Sequence, residues 1–323
     1  EARTELAKYI AEDENGFVVE GNIPTFKEFV EIWKRDYGLK ELAPSTYYRY
    51  LGILESRILP YFGHFKLNKI RPIDIMQFYN LLDEDTQIVR KKNNNGMKTR
   101  KPLSKKTILE HHRLLHAMLT KAAYWQMIVT NPADRVQPPK APKPKRECYD
   151  EVQTRILIDN LEKLTGNDVK YKVAVLLDIF IGARLGELAG LEWSDIDLKN
   201  GIISINKSSQ YLSDKGIFTK SPKTESSVRE VAIPDFIVSL REEYKLWYEE
   251  QKSIVGDFWH DSDRLFVQVD GKPITPSTIS KWFEKFIKQI GLPVITFHGL
   301  RHTNATLLIA QQVDVATVSA RLG

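Results

Sequence analysis

Thr296-Phe297-His298-Gly299-Leu300-Arg301-His302 stands 21 residues before the last residue given, Gly323. His298 and Arg301 are three apart, so on a helix opening at this point they share a face and can hold a phosphate between them. His298 and His302 are four apart, a spacing that metal pairs also use. The residues between them lack the Glu of a zincin helix, however, and no third ligand is evident. On this stretch alone a phosphate clamp and a metal pair both stay open.

Working backward, two further segments place a cation where one element hands over to the next. Gly182-Ala183-Arg184-Leu185-Gly186-Glu187-Leu188 follows an apolar run at Val173 to Ile181 that reads as a buried helix. Arg184 with Glu187 one turn on is either an oriented guanidinium or an ordinary i,i+3 surface pair. Ser221-Pro222-Lys223-Thr224-Glu225-Ser226-Ser227-Val228-Arg229 sets Lys223 in a tight turn, where a lysine is usually just solvated. Gly201 to Asn206 and Arg229 to Ile233 alternate as strands. Helices are expected at about 235–252, 276–290, 298–310 and 313–321.

The N-terminal half reads differently. Residues 1–22 are a polar lead-in, opening at Glu1 without a Met as if inside a longer protein. Thr25-Phe26-Lys27-Glu28 is a capping box, and Phe26, Phe29, Val30, Trp33 and Tyr37 follow at helical spacing, with Gly38 as the stop. A second helix is expected from Ser45 to Leu59, ending at Pro60, and a third from Pro72. The stretch 86–103 reads as a loop or hairpin, and Ser104 caps a long helix with Ile108, Leu115, Leu119 and Ala122 inward. Pro138-Pro139-Lys140-Ala141-Pro142-Lys143-Pro144 cannot be helix and forms an extended strap. The expected layout is therefore two domains: an all-α helical bundle over 23–137, a basic linker over 138–147, and an α+β, mostly helical domain with a small antiparallel sheet over 148–323.

The net charge of +5 is modest but clustered. Eight basic residues and no acid fall between Thr86 and Thr107, and Lys140, Lys143, Lys145 and Arg146 form a second group. Such blocks suit a polyanion or a solvated loop. Cys148 is the single cysteine, which rules out an intrachain disulfide and suits a reducing compartment. No apolar run is long enough to span a bilayer.

Taken in order, Ala183 to Asp197 (ARLGELAGLEWSDID), Ser221 to Pro234 (SPKTESSVREVAIP) and Thr296 to Leu308 (TFHGLRHTNATLL) resemble the boxes of the tyrosine recombinases, the integrases of phages and conjugative elements. The resemblance covers nearly the whole chain. It implies a SAM-like core-binding domain, a catalytic domain, and cleavage and rejoining of DNA through a 3′-phosphotyrosine without metal or cofactor. Arg184 and Arg301 match the family's two arginines, which stabilise charge on the non-bridging oxygens in place of Mg²⁺. Lys223 matches its general acid, with Lys220 as a neighbouring alternative. His298 matches the histidine that assists proton transfer. Glu187 is expected to orient Arg184, and His302 to be structural.

Val318 to Gly323 match the approach to the family's Gly-His or Gly-Trp pair, with Gly323 as its Gly, and the His or Trp and the tyrosine would follow. The nucleophile is therefore expected beyond Gly323 or deleted, and Tyr211, Tyr244 and Tyr248 lie in the wrong segments to substitute. The resemblance further implies double-stranded recombination sites, dimers or tetramers on DNA, an accessory bending or directionality protein, no membrane, and a cytoplasmic, nucleoid-associated location.

For phosphate contact the sequence offers Lys105, Lys106 and Thr107 at a helix N-terminus, Arg49, and the strap lysines Lys140, Lys143 and Lys145. His111, His112 and Arg113 are expected to face the groove. Two other classes compete. One is a DNA-binding protein of the same fold, inactive as given because the tyrosine segment is missing. The other is a metal-dependent nuclease, for which Asp195 and Asp197 are the only suggestive carboxylates.

Overall fold

In a computed structural model, the chain divides into two compact units, Glu1–Pro144 and Lys145–Gly323. The structure describes residues 23–84, 89–92, 98–100, 103–142, 147–212, 214–220 and 228–323. Among these, no helix is long and apolar enough to cross a membrane.

In the first unit, α1 (Phe26–Trp33) begins at a complete capping box: the Thr25 side chain accepts the Glu28 N–H, and the Glu28 carboxylate accepts the Thr25 N–H at 2.7 Å. Phe26, Phe29, Val30 and Trp33 are buried, as their spacing requires. Gly38 does not stop this helix. The chain passes through a π-helical turn, Lys34–Gly38, into a further turn at Leu39–Glu41. Gly38 is small for another reason: a Cβ there would meet the Tyr47 ring at 2.9 Å and Trp33 at 3.0 Å. Pro60 is no stop either. α2 (Pro44–Ile53) runs through a second π turn, Leu54–Ile58, into Leu59–Phe62, with Pro60 inside that last turn. The Leu59 N–H reaches back five residues to Leu54 O, and the widened turn accommodates a residue that has no N–H to give.

The unit is completed by α3 (Pro72–Glu84), a short antiparallel ladder of β1 (Val89–Lys92) and β2 (Lys98–Arg100), and α4 (Lys105–Tyr124). Phe62 gathers the rings of Phe26, Phe65 and Phe78 at its centre. Ile108, Leu115, Leu119 and Ala122 of α4 close the core.

In the second unit, α5 (Glu151–Leu161) and α6 (Val169–Ile181) lead the chain in. α6 is apolar nearly all round and is the hub, packed by α8 (Phe236–Val255), α9 (Pro276–Gln289) and α10 (Phe297–Ala310). A short helix, α7 (Leu185–Leu188), precedes two small sheets. One is three-stranded and antiparallel: β3 (Ile196–Asp197), β4 (Ile202–Ile205) and β7 (Arg229–Ala232), with Ile203 opposite Val231. The other is a hairpin of β5 (Ser208–Leu212) and β6 (Gly216–Lys220), whose bounds no alternation of apolar residues marks. α11 (Val315–Leu322) ends the unit against α10 and β7.

Candidate active site

The site starts where α6 stops. Gly182 takes the left-handed conformation (φ +59°), and its N–H closes on Asp178 O at 2.8 Å. A side chain there would be strained by the backbone and crowded by Leu322 and by Asn304 Oδ1 at 3.0 Å. This turn throws Arg184 out in an extended conformation at the head of α7.

Arg184 is no ordinary surface pair. Its Nη1 donates to Glu187 Oε1 at 2.8 Å, and its main-chain N–H donates to Oε2 at 3.0 Å. Oε2 also accepts from Arg229 Nη2 at 2.9 Å, and the side chains of that second pair are only 5% and 7% exposed. Burial alone would raise the Glu187 carboxyl. The hydrogen bonds from the Arg184 N–H, from Arg229 and from the Arg184 side chain outweigh it and hold the group below its ordinary value.

Arg301 rises from α10 one turn after His298. Its Nη1 donates to Gly182 O (3.0 Å) and Leu322 O (2.6 Å), tying the turn after α6 to the end of α11. Its Nη2 donates to Gly323 O at 2.9 Å, and Arg184 Nη2 reaches the same oxygen at 2.8 Å. The two guanidiniums therefore converge on one point. Burial, then the like charges of Arg184 and Arg229, push the Arg301 group down from its ordinary value. The cluster thus carries positive charge in excess of its nearest carboxylate, which suits an anion.

His298 is exposed on the first turn of α10, and its ring lies edge-on to His302 at 4.9 Å. Lys223 lies outside the described residues. Lys220, the last residue of β6, is half-buried. The β5–β6 hairpin is held close to α7 by small residues: a Cβ on Gly186 would stand 2.5 Å from Ser208 Oγ and 2.9 Å from Ser209 O, and one on Gly190 would stand 3.0 Å from Ser209 N. Tyr244 and Tyr248 are core residues, Tyr244 stacked on Trp193 and Trp247 and Tyr248 edge-on to Trp193, whereas Tyr211 is exposed on β5.

The carboxylates that suggested a metal nuclease are already engaged. Asp195 is buried with Lys207 Nζ at 3.1 Å and accepts the Glu192 N–H. Asp197 closes a turn through the N–H groups of Lys199 and Asn200. Among the described residues no group of three or more His, Cys, Asp or Glu side chains is placed to hold a metal ion.

In the first unit, Lys105 and Lys106 are exposed at the head of α4, whose cap is Ser104 accepting the Thr107 N–H. Lys105 pairs with Asp83 (2.7 Å) and Arg49 with Glu110 (3.1 Å). Lys140 is exposed, and Lys143 and Lys145 fall outside the described residues. His111 and His112 do not face a groove. Both are buried, His112 Nδ1 hydrogen-bonded to Tyr79 O–H at 2.6 Å and His111 Nδ1 to Thr107 O at 2.8 Å. The 3.6-residue period turns them toward α3, and Arg113 alone of the three is exposed, paired with Glu110.

Three residues of the cluster escaped the sequence reading. Arg229 is one, and the signal was available: in Arg229-Glu230-Val231-Ala232 the strand's inward positions are Arg229 and Val231. A charged residue at an inward position of a strand marks a buried ion pair. Asp178 is another, a lone acid within the apolar run of α6, fully buried. Burial lifts its carboxyl well above the ordinary value against the opposing pull of Arg301 and Arg229. Arg321 is the third, donating to Phe180 O and Ala232 O.

The pattern of the phage integrase family matches residues 148–323, and that of the phage integrase N-terminal SAM-like domain matches 25–82. The chain belongs to the phage integrase family. Its function is that of a site-specific tyrosine recombinase. It is 26% identical over its whole length to a tyrosine recombinase XerC-like protein of Caldanaerobacter subterraneus subsp. tengcongensis, covering 82% of that protein. It is 27% identical over 87% of its length to the ICEBs1 integrase of Bacillus subtilis, covering 70% of it. Among solved structures it resembles the Tn1549 transposon integrase in complex with circular intermediate DNA (TM-score 0.72, 19% identity, 93% of this chain and 92% of that one). It also resembles a lambda integrase tetramer bound to a Holliday junction (TM-score 0.62, 17% identity, 100% and 87%).

Proposed function

We propose that Arg184 and Arg301 are the cationic clamp for the scissile phosphate of a DNA recombination site, with His298 and Lys223 as proton-transfer groups and Glu187 holding Arg184 in place. The observation that carries this reading is the placing of two guanidiniums beside one another at the turn after α6, Arg184 held by Glu187 at 2.8 Å and Arg301 by Gly182 O at 3.0 Å. A phosphate between them receives charge-assisted hydrogen bonds from both in a half-buried site, where such bonds are strongest. A tyrosine hydroxyl attacks phosphorus and loses its proton with the help of His298. The new bond is a 3′-phosphotyrosine, the P–O5′ bond breaks, and Lys223 protonates the departing 5′-oxygen. Rejoining is the reverse, so no energy source is needed.

Lys105, Lys106, Thr107, Arg49, Lys140, Lys143 and Lys145 contact the backbone phosphates of double-stranded DNA. The exposed ion pairs of Lys105 and Arg49 hold so weakly that a phosphate replaces the acid. Each phosphate so neutralised steepens the salt dependence by about 0.9 in log–log slope. The chain works as a dimer or tetramer on DNA in the cytoplasm, with an accessory protein setting direction.

The test is covalent trapping by the complete protein on a nicked duplex carrying the mobile element's own attachment junction. Arg184→Ala and Arg301→Ala keep DNA affinity and lose the adduct by ~10²–10³-fold. Loss of DNA binding itself at moderate salt would overturn the assignment. A binder that does no chemistry is disfavoured, because the family pattern over 148–323 and the relatives it resembles are those of recombinases and integrases.

A further inference from the structure

We infer that Arg229 is a positioning residue for this phosphodiester chemistry, acting through Glu187 on the guanidinium of Arg184. The inference rests on the reading of Arg184 and Arg301 given above and adds to it a residue that touches no substrate.

Arg229 is the first residue of β7, opposite Ile205 in the three-stranded sheet, so its backbone is fixed by a ladder rather than by a loop. Its side chain is nearly enclosed and works in two directions. Nη2 donates to Glu187 Oε2 (2.9 Å), and Nε donates to Arg321 O (2.9 Å) in the last turn of α11. Glu187 is thereby loaded on both oxygens. Oε2 carries Arg229 and the Arg184 N–H, which leaves Oε1 aimed at Arg184 Nη1. With one oxygen pinned by a buried guanidinium, the carboxylate cannot rotate freely, and the plane of the Arg184 guanidinium follows. Arg184 is 44% exposed and otherwise has several rotamers open to it.

The second contact steadies Arg229 for the first. Arg229 holds the carbonyl of Arg321, while Arg301 holds those of Leu322 and Gly323. The contact to Arg321 O anchors the Arg229 side chain itself, so that Nη2 is presented to Glu187 in one orientation. A lysine cannot do this. Its single nitrogen lacks the planar fork that reaches a carboxylate and a carbonyl on different sides.

The experiment is single-turnover cleavage of the same nicked duplex by the complete protein, in a cycle of wild type, Arg229→Met, Arg184→Ala and the double variant. Arg229→Lys serves as a second variant that keeps the charge, and thermal unfolding without DNA checks each fold. Arg229→Met is expected to slow adduct formation by about 10- to 100-fold, the range seen when a group that orients an active-site residue is removed. DNA affinity should stay within about threefold, and Arg229→Lys should recover only part of the rate. The discriminating readout is the double variant, which should be no slower than Arg184→Ala alone, because Arg229 acts through Arg184. Multiplicative losses would make Arg229 merely structural and overturn the inference. A full rate in Arg229→Met beside a slow Arg184→Ala would also overturn it and leave the clamp standing. A full rate in Arg184→Ala would bring down the clamp itself.

Discussion

Gly186→Ala is the sharpest probe of how the β5–β6 hairpin serves the site. The new Cβ meets Ser208 Oγ at 2.5 Å and the main-chain oxygen of Ser209 at 2.9 Å. A rotation of Ser208 relieves the first contact, but nothing local relieves the second. The hairpin must retreat by roughly half an ångström to reach ordinary van der Waals distance. Overpacking of this kind costs about 1–3 kcal/mol. Alanine's better helix propensity offsets up to about 1 kcal/mol, and less in a helix as short as α7. The net loss of about 1–2 kcal/mol lowers the melting temperature by about 2–8 °C for a unit of this size. Activity should suffer more than stability, because Glu187 adjoins the substituted position and Arg184, half of the proposed clamp, stands two residues before it. If a 1 Å error at a reacting centre costs ~10²-fold, half of that costs about tenfold. Calorimetry gives the first number and single-turnover adduct formation the second. Ser208→Ala combined with Gly186→Ala should recover part of the melting temperature and little of the rate. A Gly186→Ala protein with wild-type melting and wild-type rate would mean that the hairpin does not sit on α7 in solution, and the reasoning would fail.

Two predictions concern protons. Burial raises the Asp178 carboxyl far above its unfolded value, so the native state holds a proton that the unfolded chain releases. Stability from this group therefore declines as pH rises through the window above the ordinary Asp value, and Asp178→Asn, neutral throughout, should lose that slope. Melting curves of the two proteins between pH 4 and 8 should diverge with rising pH, and parallel curves would refute the assignment. In the first unit, burial lowers both His111 and His112. The unfolded chain there binds protons more readily than the native one, so stability is intact above the ordinary histidine value near 6.5 and declines as pH falls below it. Hydrogen exchange of the α4 amides, corrected for intrinsic rate, should show weaker protection at pH 5.5 than at 7.5. Unchanged protection would mean that the two rings are solvated.

Much of this was legible because it is carried by local pattern. The capping box at Thr25, the apolar face of α1 and the cap at Ser104 depend on neighbours a few residues away. So does the pairing of Arg184 with Glu187, although its burial does not. The misses share a cause in distant contacts. Gly38 and Pro60 read as punctuation, but the ring of Tyr47 and a π turn give them other work. His111 and His112 read as polar and outward, and only the Tyr79 hydroxyl, from another helix, makes the inward position tolerable for His112. The β5 strand Ser208-Ser209-Gln210-Tyr211-Leu212 is too polar to announce itself, and it exists because Gly186 and Gly190 leave room beside α7. Arg229 needed Glu187, 42 residues earlier, to explain a charge at an inward position.

The π turn at Leu54–Ile58 bears on how this helix tolerates changes in length. Such a turn is an α-helical turn with one residue added, so the flanking stretches keep their faces toward the core. Removing Glu55 or Ser56 would restore a regular helix with Leu54 and Ile58 still inward, were it not for Pro60. In regular pitch its ring would collide with the carbonyl four residues back. The extra residue and the proline are thus a coupled pair of characters. A shortened helix requires Pro60 to be replaced in the same step, and a chain that keeps the proline must keep the added residue.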